Sequence, residues 1–345
     1  MSNYTLSQRA TKIYNTVVDI FDWRQTSDVV TPLSLASRQF NNIEAGATVC
    51  IPGAGIGTYV LAAIQAGISP QDIAAVELNP AYYDLGSSIY RRFGVNYVFA
   101  NFLEWDPQMR FDVVIGNPPF QEVTEKGRKD QASNLWTKFW VKSLKLAKED
   151  GIVSLITPTS WLSPSANLRG SLKYEGKSRL WDVFNSYKTV AQVTGIDSFF
   201  KGVGSSFGVV RVDKSGNEGL SFEENYPVEL GFLPKGGFDE VLEKVGGEST
   251  LESNFHISQD SGSGLRVSVP LTRKVGESSV EILRESELPQ SGSKNSKLYL
   301  YVKVESELEA QKVKKTILDC EKVLNSYCKW SGFMNIQIFR KIKYA

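Results

Sequence analysis

Short, wholly apolar segments alternate with helical segments through residues 47–157, and this pattern limits the fold most. Strands are predicted at 48–51, 73–77, 96–100, 111–115 and 152–157, and helices at 6–20, 31–40, 58–66, 80–93 and 134–147. A strand that is apolar on both faces is buried on both faces, which is typical of a parallel sheet between helical layers. The sequence therefore predicts an α/β fold with helices on both faces of the sheet.

The sequence pattern changes near residue 214, where polar residues and glycine interrupt the alternation of apolar strand segments and helical segments. Beyond this point we expect a more irregular α+β region, with strands at 265–269 and 298–304 and one long helix at 306–326. We therefore expect two domains, residues 1–215 and residues 216–345.

The composition favours an ordinary globular chain. Hydrophobic residues make up 41% and charged residues 22% of the 345 residues, and the formal net charge is +1. Three cysteines and one histidine are a poor set of metal ligands and an odd number for disulfides, so we expect no metal site and a reducing, cytoplasmic environment. We also expect no signal peptide and no membrane span.

A glycine-rich loop follows the first predicted strand and opens a helix, where backbone amides can approach a ligand closely. An acidic residue ends the second strand, where it can accept hydrogen bonds from ribose hydroxyls, and an aromatic residue follows the third. The expected cofactor-binding residues here are Pro52, Gly53, Gly55, Gly57, Glu77, Asn101 and Phe102. These features would also suit a nicotinamide dinucleotide.

The fourth strand stops at Asn117-Pro118-Pro119-Phe120. The prolines stiffen this turn, so the Asn117 side-chain oxygen and the Pro118 carbonyl can accept hydrogen bonds from one planar amine. Phe120 offers a face for a base removed from its stack. An ordinary strand-ending turn is the alternative. Because ligands gather at the carboxyl ends of parallel strands, we expect this turn and the glycine loop to share one crevice.

Basic residues outnumber acidic ones in the segment that follows this turn, residues 121–215. We expect Lys126, Arg128 and Lys129 to contact a phosphate backbone there. A lysine-rich solvated surface explains the charge equally well.

In this order the motifs resemble the S-adenosylmethionine-dependent N6-adenine DNA methyltransferases of restriction-modification systems, specifically their γ group. The resemblance covers about residues 5–213. It also includes Thr31-Pro32, similar to the block that closes over the methionine end of the cofactor, Gly151–Leu162, similar to a shared strand-and-turn block, and Phe199–Phe207, similar to the late block at the target-base pocket.

The resemblance implies a Rossmann-like methyltransferase sheet and direct methyl transfer from S-adenosylmethionine to the amine of a flipped adenine. Asn117, Pro118, Pro119 and Phe120 would form the catalytic turn, and Phe207 would form a second wall of the base pocket. Residues 216–345 would recognise the DNA sequence. The implied partners are double-stranded DNA and a cognate restriction endonuclease, with the methyltransferase itself a monomer.

Two residues depart from the family pattern. Ile51 replaces an acidic residue before the glycine loop, and Asn101 replaces an aspartate. These departures motivate one alternative, a silent protein that binds nucleic acid without modifying it. A second alternative is methylation of RNA or of a protein glutamine, since such enzymes also use an Asn-Pro-Pro turn. Asparagine at position 117 favours adenine over cytosine, because cytosine amino-methyltransferases more often carry serine there.

Overall fold

The computed structural model describes residues 5–20, 30–120, 135–162, 173–193, 196, 199–200, 207–223, 237–271, 275–331 and 336–344. The chain divides into two compact units, Met1–Pro158 with Asn167–Glu223 and Thr159–Ala166 with Glu224–Ala345. No helix in these described ranges is long and apolar enough to cross a membrane.

The first unit is built on a sheet that contains eight of the described strands. They are β1 (Val49–Pro52), β2 (Ile73–Glu77), β3 (Asn96–Phe99), β4 (Phe111–Gly116), β5 (Ala147–Pro158), β6 (Lys188–Gln192), β7 (Phe207–Asp213) and β8 (Leu220–Phe222). Their order is β3-β2-β1-β4-β5-β7-β6-β8. Within this set β7 runs antiparallel to both its neighbours, whereas the other pairs are parallel. This is a Rossmann-like methyltransferase sheet, as expected. It continues through β8, beyond residue 215.

Six described helices belong to this unit: α1 (Leu6–Ile20), α2 (Leu33–Gln39), α3 (Thr58–Gln65), α4 (Pro80–Tyr90), α5 (Leu135–Leu146) and α6 (Leu180–Phe184). All four residues of β1 and all five of β2 are buried, and all of them except Glu77 at the end of β2 are apolar. Helix α4 begins sharply because Asn79 Oδ1 accepts hydrogen bonds from the Ala81 and Tyr82 amides and Pro80 fits the first turn.

Asp112 connects neighbouring strands at the end of the sheet opposite the strands' carboxyl ends. Its Oδ2 accepts hydrogen bonds from the Thr48 amide at 2.9 Å and the Thr48 hydroxyl at 2.6 Å, and its Oδ1 accepts one from Lys148 Nζ at 2.6 Å. Burial opposes ionisation, but the contacts with Lys148 and Thr48 outweigh it and lower the pKa of Asp112 to about 2. The carboxylate therefore ties β1, β4 and β5 together.

The second unit contains an antiparallel sheet in the order β11-β10-β12-β9. Its described elements are α7 (Gly237–Val245), α8 (Leu251–Asn254), β9 (Ile257–Ser258), β10 (Arg266–Pro270), β11 (Glu281–Leu283), β12 (Tyr299–Lys303), α9 (Glu307–Asp319), α10 (Glu321–Ser331) and α11 (Ile336–Arg340). The expected single helix at 306–326 is wrong, because it breaks at Cys320. There the amide donates to Ile317 O, three residues back, so the turn tightens. Both helices place buried residues in the same core.

Candidate active site

The Asn117–Phe120 turn directly follows β4, the strand between β1 and β5. Its first proline, Pro118, is buried, whereas Pro119 is exposed. The residue before the turn must be small, because a Cβ at Gly116 would lie only 3.1 Å from the Pro52 carbonyl oxygen. The turn is thus packed closely against the end of β1.

The two ends of the Asn117 side-chain amide have different surroundings. Its Nδ2 donates a hydrogen bond to Thr31 Oγ1 at 3.1 Å. Its Oδ1 is buried and has no hydrogen-bond partner among the described residues. A buried acceptor without a partner costs about 1–3 kcal/mol, so such groups are few in folded proteins. Asn117 therefore presents an acceptor for which the described part of the chain supplies no donor.

The glycine loop touches this turn, as the shared-crevice expectation requires. A Cβ at Gly53 would lie 3.4 Å from Pro119 Cδ, so the two segments are in direct contact there. Gly57 has φ +92°, and a Cβ there would collide with the Tyr90 ring. The Tyr97 hydroxyl stabilises the loop by donating a hydrogen bond to Gly55 O at 2.6 Å.

Glu77 lies at the end of β2, within reach of the same loop. Its Oε2 accepts a hydrogen bond from the Gly55 amide at 2.7 Å. Its Oε1 accepts hydrogen bonds from the Leu78 amide at 2.8 Å and the Asn79 amide at 2.7 Å. The carboxylate is 8% exposed, whereas the Leu78 side chain beside it is 59% exposed. A negative charge and an apolar surface therefore lie side by side at the end of β2. Leu78 is a residue of this site that the sequence motifs did not identify.

Asn101 and Phe102 follow β3, but both side chains have protein partners. Asn101 Oδ1 accepts a hydrogen bond from the Leu103 amide at 3.1 Å, and its Nδ2 donates to Glu104 at 2.9 Å. Phe102 is 3% exposed and stacks on Phe139, with ring centroids 5.1 Å apart. In this state Phe102 is a core contact, and Asn101 would have to exchange a partner before it bound a ligand.

Thr31 and Pro32 precede α2. Pro32 occupies the N-cap of that helix, with φ −58° and ψ 139°, rather than the first turn that the sequence predicted. The ψ of Pro32 is extended rather than helical, so the helix begins at the next residue, Leu33. Thr31 is 5% exposed and contacts Asn117. The structure thus brings together Thr31 and the Asn117 turn, a contact that sequence reasoning missed.

Phe120 and Phe207 stack on each other, with ring centroids 5.0 Å apart and an interplanar angle of 23°. Phe200 meets Phe207 edge-on at 5.5 Å. A base between Phe120 and Phe207 would need two stacking distances, so this spacing leaves it no room. In this state Phe207 covers one face of the Phe120 ring.

Other expected residues lie outside the description or outside the site. Lys126, Arg128 and Lys129 are not among the described residues, and neither is 201–206 of the late block. Cys50 is buried in β1, and burial raises the pKa of its thiol, which fits a core residue rather than a nucleophile. Among the described residues, no group of three or more His, Cys, Asp or Glu side chains could hold a metal ion.

The strand order, with β7 antiparallel, defines the fold class as that of Rossmann-like methyltransferases. Residues 90–188 match the family of Eco57I restriction-modification methylases. The Type II methyltransferase M.TthHB8I of Thermus thermophilus is 28% identical over 196 residues, which cover 49% of this chain and 44% of the relative. The match thus spans less than half of that relative. Together these similarities confirm the resemblance to restriction-modification methyltransferases, a family that uses S-adenosylmethionine.

Two solved structures are more distant. The type I restriction-modification methyltransferase subunit from Streptococcus thermophilus is 18% identical, with a TM-score of 0.41 over 56% of this chain and 46% of that one. The ATP-dependent Type ISP restriction-modification enzyme LlaBIII, solved bound to DNA, is 12% identical, with a TM-score of 0.41 over 61% of this chain and 21% of that one.

Proposed function

We propose that this protein is a site-specific DNA adenine N6-methyltransferase. The observation that carries the proposal is the buried Asn117 Oδ1, an acceptor without a partner among the described residues, at the end of β4 beside the glycine loop. An exocyclic amine supplies the donor that this oxygen lacks. The sequence similarity to restriction-modification methylases supports DNA as the molecule that carries the amine.

The residues beside the turn fit S-adenosylmethionine. Gly53 leaves the loop free of side chain where it touches Pro119, and nothing lies within 4 Å of a Cβ at Gly55, so a ligand has space there. Glu77 can accept a hydrogen bond from a ribose hydroxyl in place of one from a backbone amide. The exposed Leu78 side chain offers apolar surface to an adenine ring. Ile51 is fully buried in the core, so its side chain takes no part in the surface that would hold the cofactor.

When bound, S-adenosylmethionine supplies an electrophilic methyl group. Asn117 Oδ1 and the Pro118 carbonyl accept hydrogen bonds from the target amine and hold its nitrogen lone pair toward that methyl group. They also stabilise the positive charge that develops on the nitrogen during transfer. Phe120, supported by Phe207, stacks on the base. Catalysis then depends on positioning and electrostatics, without a covalent enzyme intermediate.

Adenine N6 is the proposed target because position 117 is asparagine, where the cytosine amino-methyltransferases that this chain resembles more often carry serine. The second compact unit, which includes the β10–β12 sheet, provides surface for reading the DNA sequence. Sequence readout requires dedicated contacts to base edges, beyond the contacts that hold the phosphate backbone.

A substrate competition tests the proposal. Purified protein is incubated with S-adenosylmethionine carrying a labelled methyl group and with unmethylated duplex DNA, RNA or protein. We expect label in duplex DNA alone, and none with Asn117→Ala. Label in RNA or protein instead would overturn the proposal that duplex DNA is the substrate. Absence of label, with cofactor binding measured by calorimetry, would overturn the enzymatic proposal.

A further inference from the structure

A row of buried polar side chains runs from the catalytic turn into the core of the first unit. Asn117 Nδ2 donates a hydrogen bond to Thr31 Oγ1 at 3.1 Å, and the Thr31 side chain lies close to the Tyr59 hydroxyl, whose pKa it lowers against the effect of burial. Gln39 Nε2 donates to the Tyr59 hydroxyl at 2.6 Å, and the Ser154 hydroxyl donates to Gln39 Oε1 at 2.9 Å. Three of these residues lie on regular elements, Gln39 on α2, Tyr59 on α3 and Ser154 on β5.

All four supporting side chains are buried: Thr31 is 5%, Gln39 6%, Tyr59 4% and Ser154 1% exposed. A buried polar network is costly unless its members are satisfied, and a satisfied one is rigid. Hydrophobic residues could fill this volume without polar partners, so the network calls for an explanation other than packing.

An asparagine amide can accept a hydrogen bond only through its oxygen. Because Thr31 engages Nδ2, the oxygen is the end that remains for a ligand. We infer that Thr31, backed by Tyr59, Gln39 and Ser154, is a positioning residue that holds the Asn117 amide with its oxygen toward the target amine. This inference rests on the proposed function and gives Thr31 a role other than closing over the cofactor.

Two variants remove single hydroxyl groups from the network, Thr31→Val and Tyr59→Phe. We expect each to lower the single-turnover methyl-transfer rate constant, and Thr31→Val to lower it about 10- to 100-fold, because small errors in position are costly in catalysis. Dissociation constants for S-adenosylmethionine and duplex DNA should change less than about twofold. Thr31→Ser, which keeps the hydroxyl, should restore most of the rate.

Tyr14→Phe is the matched control. It removes another buried tyrosine hydroxyl, whose 2.7 Å hydrogen bond goes to Thr58, the neighbour of Tyr59. This hydroxyl lies outside the network, so we expect the wild-type rate. An unchanged rate in both Thr31→Val and Tyr59→Phe would overturn the inference. So would weaker cofactor binding with an unchanged rate constant, since Thr31 would then act on the cofactor.

A second readout needs no methyl transfer and therefore separates this inference from the proposed function. The side-chain amide signal of Asn117 is assigned in selectively labelled protein by its loss in Asn117→Ala. Its hydrogen exchange should be slow in the wild type and in Tyr14→Phe, and at least about tenfold faster in Thr31→Val, which lacks the acceptor. Equal exchange in the wild type and Thr31→Val would overturn the inference even if the protein methylates DNA. Slow exchange that Thr31→Val abolishes would support it even if no substrate is methylated.

Discussion

Replacing Asn117 by alanine should abolish methyl transfer and leave the protein as stable as the wild type. The substitution removes one hydrogen bond, from Nδ2 to Thr31, which contributes about 1 kcal/mol to the free energy of unfolding. It also removes the buried Oδ1, whose missing partner costs about 1–3 kcal/mol. Thr31 still lies close to the Tyr59 hydroxyl. The free energy of unfolding should therefore stay within about 1 kcal/mol of wild type or rise.

Urea denaturation and single-turnover transfer to duplex DNA measure the two effects on the same preparation. Loss of a preorganised catalytic hydrogen-bonding group costs about 100- to 1000-fold in rate, and we expect at least this for Asn117→Ala. The control is Asn185→Ala, which removes a hydrogen bond from an exposed amide to Trp181 O at 3.0 Å, away from the turn. Its rate should match wild type. A rate within tenfold of wild type for Asn117→Ala, or a stability loss above about 2 kcal/mol, would refute the reasoning.

Three further substitutions probe the loop, the sheet and the aromatic stack. Gly57→Ala should lower the free energy of unfolding by about 1–3 kcal/mol, because φ is +92° and a Cβ there meets the Tyr90 ring. The control Gly46→Ala, where a Cβ has open space around it, should leave the free energy of unfolding nearly unchanged in urea titrations. The pKa of Asp112 is about 2, below its ordinary 3.8, so its ionised form stabilises the fold fully above pH 4 and loses this effect as the pH falls towards 2. Wild type should therefore exceed Asp112→Asn in unfolding free energy at pH 7, and a gap that does not narrow between pH 4 and 2 would count against this explanation. Phe207→Leu should lower kcat/KM about two- to tenfold by removing the stack behind Phe120, and unchanged kinetics would exclude that support.

The sheet of the first unit could be predicted from the sequence because its central strands are apolar on both faces. Strand β2 spans Ile73–Glu77, the range predicted, and β4 differs from its prediction by one residue. Glycine and proline mark the ends of β1 and β4, so local chemistry determines where these two strands stop. The contact between the glycine loop and the Asn117 turn then follows from the parallel topology.

The sequence could not show which polar residues support Asn117. Thr31 and Asn117 are 86 residues apart, and Gln39 and Ser154 are 115 residues apart, so only the tertiary fold brings them together. A buried glutamine or serine looks the same in a sequence as an exposed one. The stacking of Phe120 on Phe207 is equally long-range.

The helix break at Cys320 was missed for a different reason. Residues 306–326 have helical periodicity throughout and contain no proline or glycine to mark a stop. The break follows from packing, because α9 and α10 each bury an apolar face in the core of the second unit. Tertiary contacts here override a continuous local preference.

The measurement that tests the central claim most directly is mass spectrometry of nucleosides from unmethylated plasmid DNA incubated with the purified protein and S-adenosylmethionine. We predict N6-methyladenine, and none with Asn117→Ala. N4-methylcytosine would keep the mechanism but contradict the proposed base. No methylated nucleoside, with cofactor and DNA binding both demonstrated, would contradict the claim that the Asn117 turn methylates DNA.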